Sequence, residues 1–273
     1  MNGLERIASS FTRARGDGRA ALMPYYTLGY PDPESSMAVV TAISRAGADL
    51  IELGVPFSDP LADGPTIQRS TQQALRAGTA VAVCLELTSR LRTAGVAQPL
   101  VLMGYYNPIL AYGPARYIAA AAAAGADGCI VPDLPPEEAG ELATACRGQG
   151  LALACLLAPN ACPERAARVA ARSTGFLYLV SLAGVTGARS ALPADLPAFV
   201  ARARAATSLP LAMGFGISTP EHVAAVGRLV DGVIVGSALI DVVDRAPEPA
   251  LGAAEFIGRL RAALFDAAQP HAA

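Results

Sequence analysis

The feature that most restricts what this chain can fold into is a rhythm. Short, unbroken apolar runs alternate with helix-length segments along almost its whole length. The runs are ALMPYYTL (21–28), DLIELGV (49–55), PLVLMGY (99–105), DGCIVPD (127–133), LALACLLA (151–158), GFLYLVSL (175–182), LPLAMGFG (209–216) and DGVIVGS (231–237), eight in all. A strand that is apolar at consecutive positions has both faces covered, as in a parallel sheet flanked by helices. Helical patterns fill the intervals at about 34–46, 66–95, 115–124, 136–148, 163–172, 195–206, 219–228 and 238–245, and one at 250–266 closes the chain. Eight β-then-α units in 273 residues predict an α/β fold, a (β/α)8 barrel of the TIM type. An extra N-terminal helix over about 3–15 precedes it, and residues 1–273 are expected to form a single domain. The open doubly wound alternative expects fewer strands and a GxGxxG turn after the first, and no such turn follows residue 28.

Charge and composition narrow the function. With 21 Lys+Arg against 23 Asp+Glu and a net charge of −2, the chain has no basic footprint for nucleic acid or an anionic membrane. Five cysteines (Cys84, Cys129, Cys146, Cys155 and Cys162) form no CxxC pair and leave one over, which points to a reducing compartment and a cytoplasmic protein. Two histidines, His222 and His271, cannot build a His-rich metal centre. The opening MNGLERIASSFTRARGDGRA has no apolar core of a secretory signal. The longest uncharged stretch, Thr93 to Ala115, is interrupted by Pro99, Gly104, Asn107, Pro108 and Pro114, so no membrane span is expected.

One element occurs in three copies: AGADLIEL (46–53), AGADGCIV (124–131) and LVDGVIVG (229–236). Each reads as a helix end, a glycine or turn, and a strand entrance marked by Asp49, Asp127 or Asp231, a recurrence that suits a structural role. Three residues later the copies carry Glu52, Ile130 and Ile234. A buried carboxylate costs several kcal/mol unless its pKa rises or a partner is supplied. Glu52 falls at the carboxyl end of the second strand, the functional face of such a barrel, where a glutamic acid of raised pKa can both give and take a proton. An ion pair with an arginine is the structural alternative. The loop that follows, Pro56-Phe57-Ser58-Asp59-Pro60-Leu61-Ala62-Asp63-Gly64-Pro65, is stiffened by three prolines and adds Asp59 and Asp63. Two converging carboxylates suit acid–base chemistry, but either aspartate could instead serve a turn or a helix cap, and spacing leaves that choice open.

The far end of the barrel carries a different signal. Glycine-bearing turns follow strands six, seven and eight: Gly184-Val185-Thr186-Gly187, Gly214-Phe215-Gly216 and Gly236-Ser237-Ala238. Backbone amides and helix starts at these places bind phosphate in barrels, so Thr186, Gly187, Phe215, Gly216, Gly236 and Ser237 predict a phosphate monoester substrate. Tyr25, Leu102, Tyr105, Val131, Leu156 and Tyr178 are candidates for apolar walls around a flat, aromatic group. Strand-end aromatics often belong to the core instead. Tyr178 is favoured for substrate contact, because its strand leads into the first of these turns.

At IELGVPFSDPLADGPTIQ (51–68) the sequence resembles the signature of the tryptophan synthase alpha chain family. Supporting stretches are PYYTLGYPD (24–32), VPDLPPEE (131–138), GVTGAR (184–189), GFGIST (214–219) and VGSALI (235–240), in order and at the expected strand ends. The resemblance implies a lyase that cleaves indole-3-glycerol phosphate to indole and glyceraldehyde 3-phosphate in L-tryptophan biosynthesis. Glu52 then matches the acid–base carboxylate, Asp63 its partner at the indole nitrogen, and Tyr178 the tyrosine near the scissile bond. Gly187, Gly216 and Ser237 match the phosphate cradle. The resemblance also implies no cofactor in this chain, pyridoxal phosphate on a partner beta chain, and an alpha2-beta2 heterotetramer. Leu182-Ala183, where some members have Arg-Ser, departs from the pattern and keeps a standalone indole-releasing lyase as the alternative. A phosphosugar enzyme on the same barrel and a purely regulatory subunit are the other rivals.

Overall fold

In the computed structural model, which describes residues 1–180, 195–214 and 216–268, every apolar run becomes a parallel strand. They are β1 (Ala21–Thr27), β2 (Ile51–Gly54), β3 (Leu100–Met103), β4 (Gly128–Ile130), β5 (Ala152–Ala154), β6 (Leu156–Leu157), β7 (Leu177–Val180), β8 (Leu211–Gly214) and β9 (Gly232–Val235). The sheet runs in the order β5-β4-β3-β2-β1-β9-β8-β7-β6. Only Cys155 separates β5 from β6, so the two are halves of one stave. The nine stretches make eight staves, and the chain itself joins the two ends of the sheet.

The helices form around this barrel: α1 (Gly3–Gly16), α2 (Pro33–Arg45), α3 (Pro65–Arg76), α4 (Val81–Thr93), α5 (Tyr106–Tyr112), α6 (Pro114–Ala123), α7 (Gly140–Gln149), α8 (Pro163–Arg172), α9 (Leu196–Ala206), α10 (Pro220–Gly227), α11 (Ser237–Arg245) and α12 (Pro249–Ala268). Two differ from expectation. The single helix expected over 66–95 is broken between α3 and α4, where Gly78 takes a φ of +83° that a helix cannot continue through. The proline-rich stretch after β3 contains the short helix α5, because Pro108 falls in its first turn, where no amide hydrogen is required. None of the described helices is long and apolar enough to cross a membrane.

The repeated aspartates have a physical role at the amino ends of the staves. The Asp49 amide donates to the Leu22 carbonyl at 2.9 Å while its carboxylate accepts the Leu22 amide at 2.8 Å. Asp127 does the same with Leu100 (2.8 Å each way) and Asp231 with Leu211 (2.9 and 2.8 Å). Each clamp therefore locks an even-numbered stave to the one before it. Arginines neutralise all three: Arg19 on Asp49, Arg6 and Arg92 on Asp127, and Arg15 and Arg204 on Asp231. A fourth copy, unmarked in the sequence, completes the set. Thr174 donates its amide to Leu153 and accepts the Leu153 amide on its hydroxyl, each at 2.8 Å, clamping β7 to β5. The N-terminal helix α1 covers this end, with Ile7 and Phe11 buried and the Phe11 and Phe176 rings 5.9 Å apart.

Candidate active site

The register decides which side chains face inward. Cys129 Sγ lies 3.6 Å from Cys146 Sγ on α7, so its face of the sheet looks toward the helices. Leu53 pairs with Leu102, Leu102 with Cys129 and Cys129 with Leu153, which places all four on that outer face. Leu102, expected as a wall of the mouth, is thus corrected to a sheet-to-helix core residue. The period of two had placed it one position out. Tyr25 and Glu52, which pair with one another, occupy the opposite, inner face.

Counting up three residues from each clamped partner gives Tyr25, Met103, Leu156 and Gly214. The residues beside them on the even staves are Glu52, Ile130 and Tyr178, and by the same register Ile234. The four on the even staves make one layer of the barrel interior. Two of its members are isoleucines. The other two, Glu52 on the second stave and Tyr178 on the sixth, face each other across the barrel.

Glu52 is 1% exposed, and neither of its carboxyl oxygens has a hydrogen-bond partner among the described residues. Burial, with the nearby charge of Asp63 adding to it, pushes its pKa up to about 8. Among the described residues no arginine acts on it, which disfavours the ion-pair alternative.

Asp63 is the second carboxyl, and the loop chooses it over Asp59. Asp59 is exposed, whereas Asp63 is only 9% exposed. Its amide donates to the Pro60 carbonyl at 3.1 Å, and its carbonyl accepts from Gln68 Nε2 at 2.8 Å. Burial raises the Asp63 pKa to about 6, with the Tyr105 hydroxyl opposing the rise; Asp63 is less deeply buried than Glu52, whose own pKa the charge of Asp63 pushes further up. Near neutrality the pair therefore contains one neutral and one charged carboxyl, the division of labour that acid–base catalysis needs.

Tyr25 links the two ends of the site. Its hydroxyl is so close to Gly54 that a Cβ there would lie 2.0 Å away, while its ring comes within 3.3 Å of a Cβ placed on Gly236. Burial, then the charges of Asp63 and Glu52, hold its pKa well above the usual phenol. Its hydroxyl lies 3.3 Å from Thr27 Oγ1, which lies 2.8 Å from Ser70 Oγ. Nothing in the sequence marked that inner hydroxyl chain. Tyr178 is likewise buried, with the charges of Glu52 and Asp63 raising its pKa after burial itself, and Gly214 gives its hydroxyl room: a Cβ there would stand 2.3 Å from it.

At the far end, Ser237 is the exposed first residue of α11, whose N-cap Gly236 offers no side-chain hydrogen bond, in contrast to α10, capped by Thr219. The first amides of α11 are therefore available to an anion. Gly216 adopts φ +75° in the preceding turn. Tyr105, Val131 and Leu156 lie at the carboxyl ends of their staves as expected, Tyr105 and Val131 buried and Leu156 half-buried. Thr186, Gly187, Phe215 and the Leu182-Ala183 pair lie outside the described residues. Among the described residues no cluster of three or more His, Cys, Asp or Glu could hold a metal ion.

Known proteins align with the chain over nearly its full length. The family profile of the tryptophan synthase alpha chain matches residues 11–261. A tryptophan synthase alpha chain of Chloroflexus aurantiacus is 52% identical over 263 residues, covering 96% of this chain and 99% of the relative. Another, from Roseiflexus castenholzii, is 54% identical over 260 residues, 94% of this chain and all (100%) of the relative. Among solved structures, tryptophan synthase of Mycobacterium tuberculosis superposes with a TM-score of 0.88 at 40% identity, covering 95% of this chain and 98% of that one. Tryptophan synthase subunit alpha of Legionella pneumophila superposes with a TM-score of 0.89 at 36% identity, covering 97% and 99%.

Proposed function

The chain belongs to the tryptophan synthase alpha chain family, and from that premise we propose that Glu52 and Asp63 are the acid–base pair with which it cleaves indole-3-glycerol phosphate. The products are indole and glyceraldehyde 3-phosphate, and the reaction serves tryptophan biosynthesis. The observation that carries the site assignment is the buried Glu52, without a hydrogen-bond partner among the described residues, beside a second carboxyl of lower pKa.

The chemistry follows from what must break. Indole leaves only when the ring carbon that bears the side chain gains a proton. The carbon–carbon bond then releases its electron pair to the ring as the side-chain hydroxyl loses a proton and becomes the aldehyde. Glu52, neutral at rest, supplies a proton and takes one back, so the step is balanced without net proton uptake. Protonating the ring places positive charge at its nitrogen, where ionised Asp63, itself largely buried, stabilises it. The cleavage is redox-neutral and is carried by side chains of this chain alone. Gly216, Gly236 and Ser237, with Thr186, Gly187 and Phe215, hold the phosphate. Tyr25 and Tyr178 flank the indole, and Tyr105 closes the side of Asp63.

The partner is a tryptophan synthase beta chain, which on this reading carries pyridoxal phosphate and assembles as an alpha2-beta2 heterotetramer in the cytoplasm. Two exposed leucines support a protein surface at this face: Leu61, 91% exposed in the Asp63 loop, and Leu110, 54% exposed on α5. The matched relatives are alpha chains, which favours the partnered reading over a standalone lyase.

The test is indole release from indole-3-glycerol phosphate, with and without the beta chain. Glu52→Gln is expected to bind the substrate and release no indole, and Asp63→Asn to lose about 10²-fold or more in turnover. Turnover near wild type in either variant overturns that residue's role.

A further inference from the structure

We propose that Thr27 and Ser70 are positioning residues that turn the Tyr25 hydroxyl proton away from Glu52, so that Glu52 meets an acceptor there and not a donor; this rests on the acid–base reading above. Tyr25 and Thr27 are alternate residues of β1 and share its inner face, Ser70 approaches from α3, and all three are buried. Ser70 has a single hydroxyl proton, and it goes to the Ile67 carbonyl at 2.9 Å, a bond in which only the serine can donate. Its oxygen lies 2.8 Å from Thr27 Oγ1, so in that pair the threonine is the donor. Thr27 then has no proton left, and across the 3.3 Å to Tyr25 the phenol donates. The chain runs one way, from Tyr25 to Thr27 to Ser70 to the Ile67 carbonyl. The Tyr25 oxygen keeps only lone pairs for the barrel interior.

That oxygen is placed where a donor would matter. Tyr25 pairs with Glu52 across the β1–β2 ladder, and its hydroxyl fills the space over Gly54, where a Cβ would stand 2.0 Å from it. Gly54 is two residues beyond Glu52 on the same face, about 6.6 Å along the strand, so a Glu52 carboxyl extended toward the mouth reaches the phenol. Yet neither carboxyl oxygen of Glu52 has a hydrogen-bond partner among the described residues. A donor there would stabilise the ionised form, and the acid would be lost at lower pH; an oxygen that can only accept favours the neutral form. The remaining surroundings do not supply one in its place. Asp63, from the loop after β2, repels the charged form, and Tyr178 on β7 lies across the layer. Staves β3 and β4 contribute Met103 and Ile130, and β9 contributes Ile234. Among the described residues no cation acts on Glu52.

The test is an isotope-edited infrared titration of the protonated carboxyl band that Glu52→Gln removes, run on the wild type, Thr27→Val, Ser70→Ala, Thr27→Ser and the double variant Thr27→Val/Tyr25→Phe. Thr27→Val takes away the acceptor of the phenol proton. Ser70→Ala lets the chain reverse, with Thr27 donating to Tyr25 and Tyr25 to Glu52. Each is expected to lower the midpoint of the band by about half a pH unit or more, and to move the basic limb of kcat/KM for indole release down with it. Thr27→Ser keeps the relay and is expected to keep the wild-type midpoint. Adding Tyr25→Phe to Thr27→Val removes the freed donor and is expected to bring the midpoint back. Ser70→Ala decides alone if Thr27→Val fails to fold. A midpoint unmoved in Ser70→Ala, or a shift in Thr27→Val that Tyr25→Phe does not reverse, overturns the inference and leaves the acid–base pair standing. A wild-type spectrum with no band that Glu52→Gln removes overturns the acid–base reading, and the inference with it.

Discussion

Replacing Glu52 by Gln removes a titration while keeping the shape, and stability, not activity, gives the sharpest reading of what that titration costs. In an unfolded chain the carboxyl titrates at 4.5, and in the folded barrel burial and Asp63 raise it to about 8. The folded state therefore holds the proton more tightly. Below pH 4.5 both states are neutral and the carboxyl costs little beyond its buried polar atoms. As the pH rises from 4.5 to about 8, the unfolded chain ionises freely while the folded one resists, so the wild type loses stability throughout that window. Each pH unit is worth about 1.4 kcal/mol, so about 5 kcal/mol accumulates across it. The glutamine variant pays a pH-independent desolvation of about 1–3 kcal/mol for its unpartnered amide. The two stability curves should then cross: the variant is equal or weaker near pH 5 and clearly more stable at pH 8. With an m-value of about 3 kcal/mol/M, the urea midpoints should separate by about 1.5 M over that range. Equilibrium urea unfolding at half-unit pH steps measures this. Curves that stay parallel from pH 5 to 8.5 would refute the claim that Glu52 is held neutral in the folded barrel.

Two further changes probe the frame around the site. Thr174→Val removes the hydroxyl that accepts the Leu153 amide and is expected to cost about 1–3 kcal/mol, read as a lowered thermal midpoint; an unchanged midpoint would show that the fourth clamp contributes nothing. Gly214→Ala puts a methyl 2.3 Å from the Tyr178 hydroxyl and is expected to lower kcat/KM about 10²-fold by displacing that ring, with the fold intact by circular dichroism. Activity near wild type would place Tyr178 outside the substrate's reach.

The alternation of apolar runs and helices made the barrel legible, and the internal repeat made Glu52 legible, because two sister copies keep isoleucine where the first has an acid. The same comparison could not reach Tyr178. Its copy of the clamp uses Thr174 instead of aspartate. Its stave also contains one residue more than its neighbour between the pairs Leu153–Thr174 and Leu156–Tyr178, so a count of three from the clamp stops one short. Leu102 was misplaced for a related reason: a continuous apolar run hides which residues face the helices, and only pairing with Cys129 settles it. The choice between Asp59 and Asp63 depended on burial beneath Tyr105, a contact 42 positions along the chain for Asp63 that no local spacing encodes. The break at Gly78 was invisible because both flanking segments carry a helical pattern.

The central claim is that two buried carboxyls are held in opposite protonation states in one chamber. The most direct measurement is an isotope-edited infrared titration of the carbonyl stretch of protonated carboxylic acids, with wild type and Glu52→Gln side by side. The expected result is a protonated band that survives to about pH 8 in the wild type and is missing from the variant. A wild-type spectrum at pH 7 in which every carboxyl is ionised would contradict it.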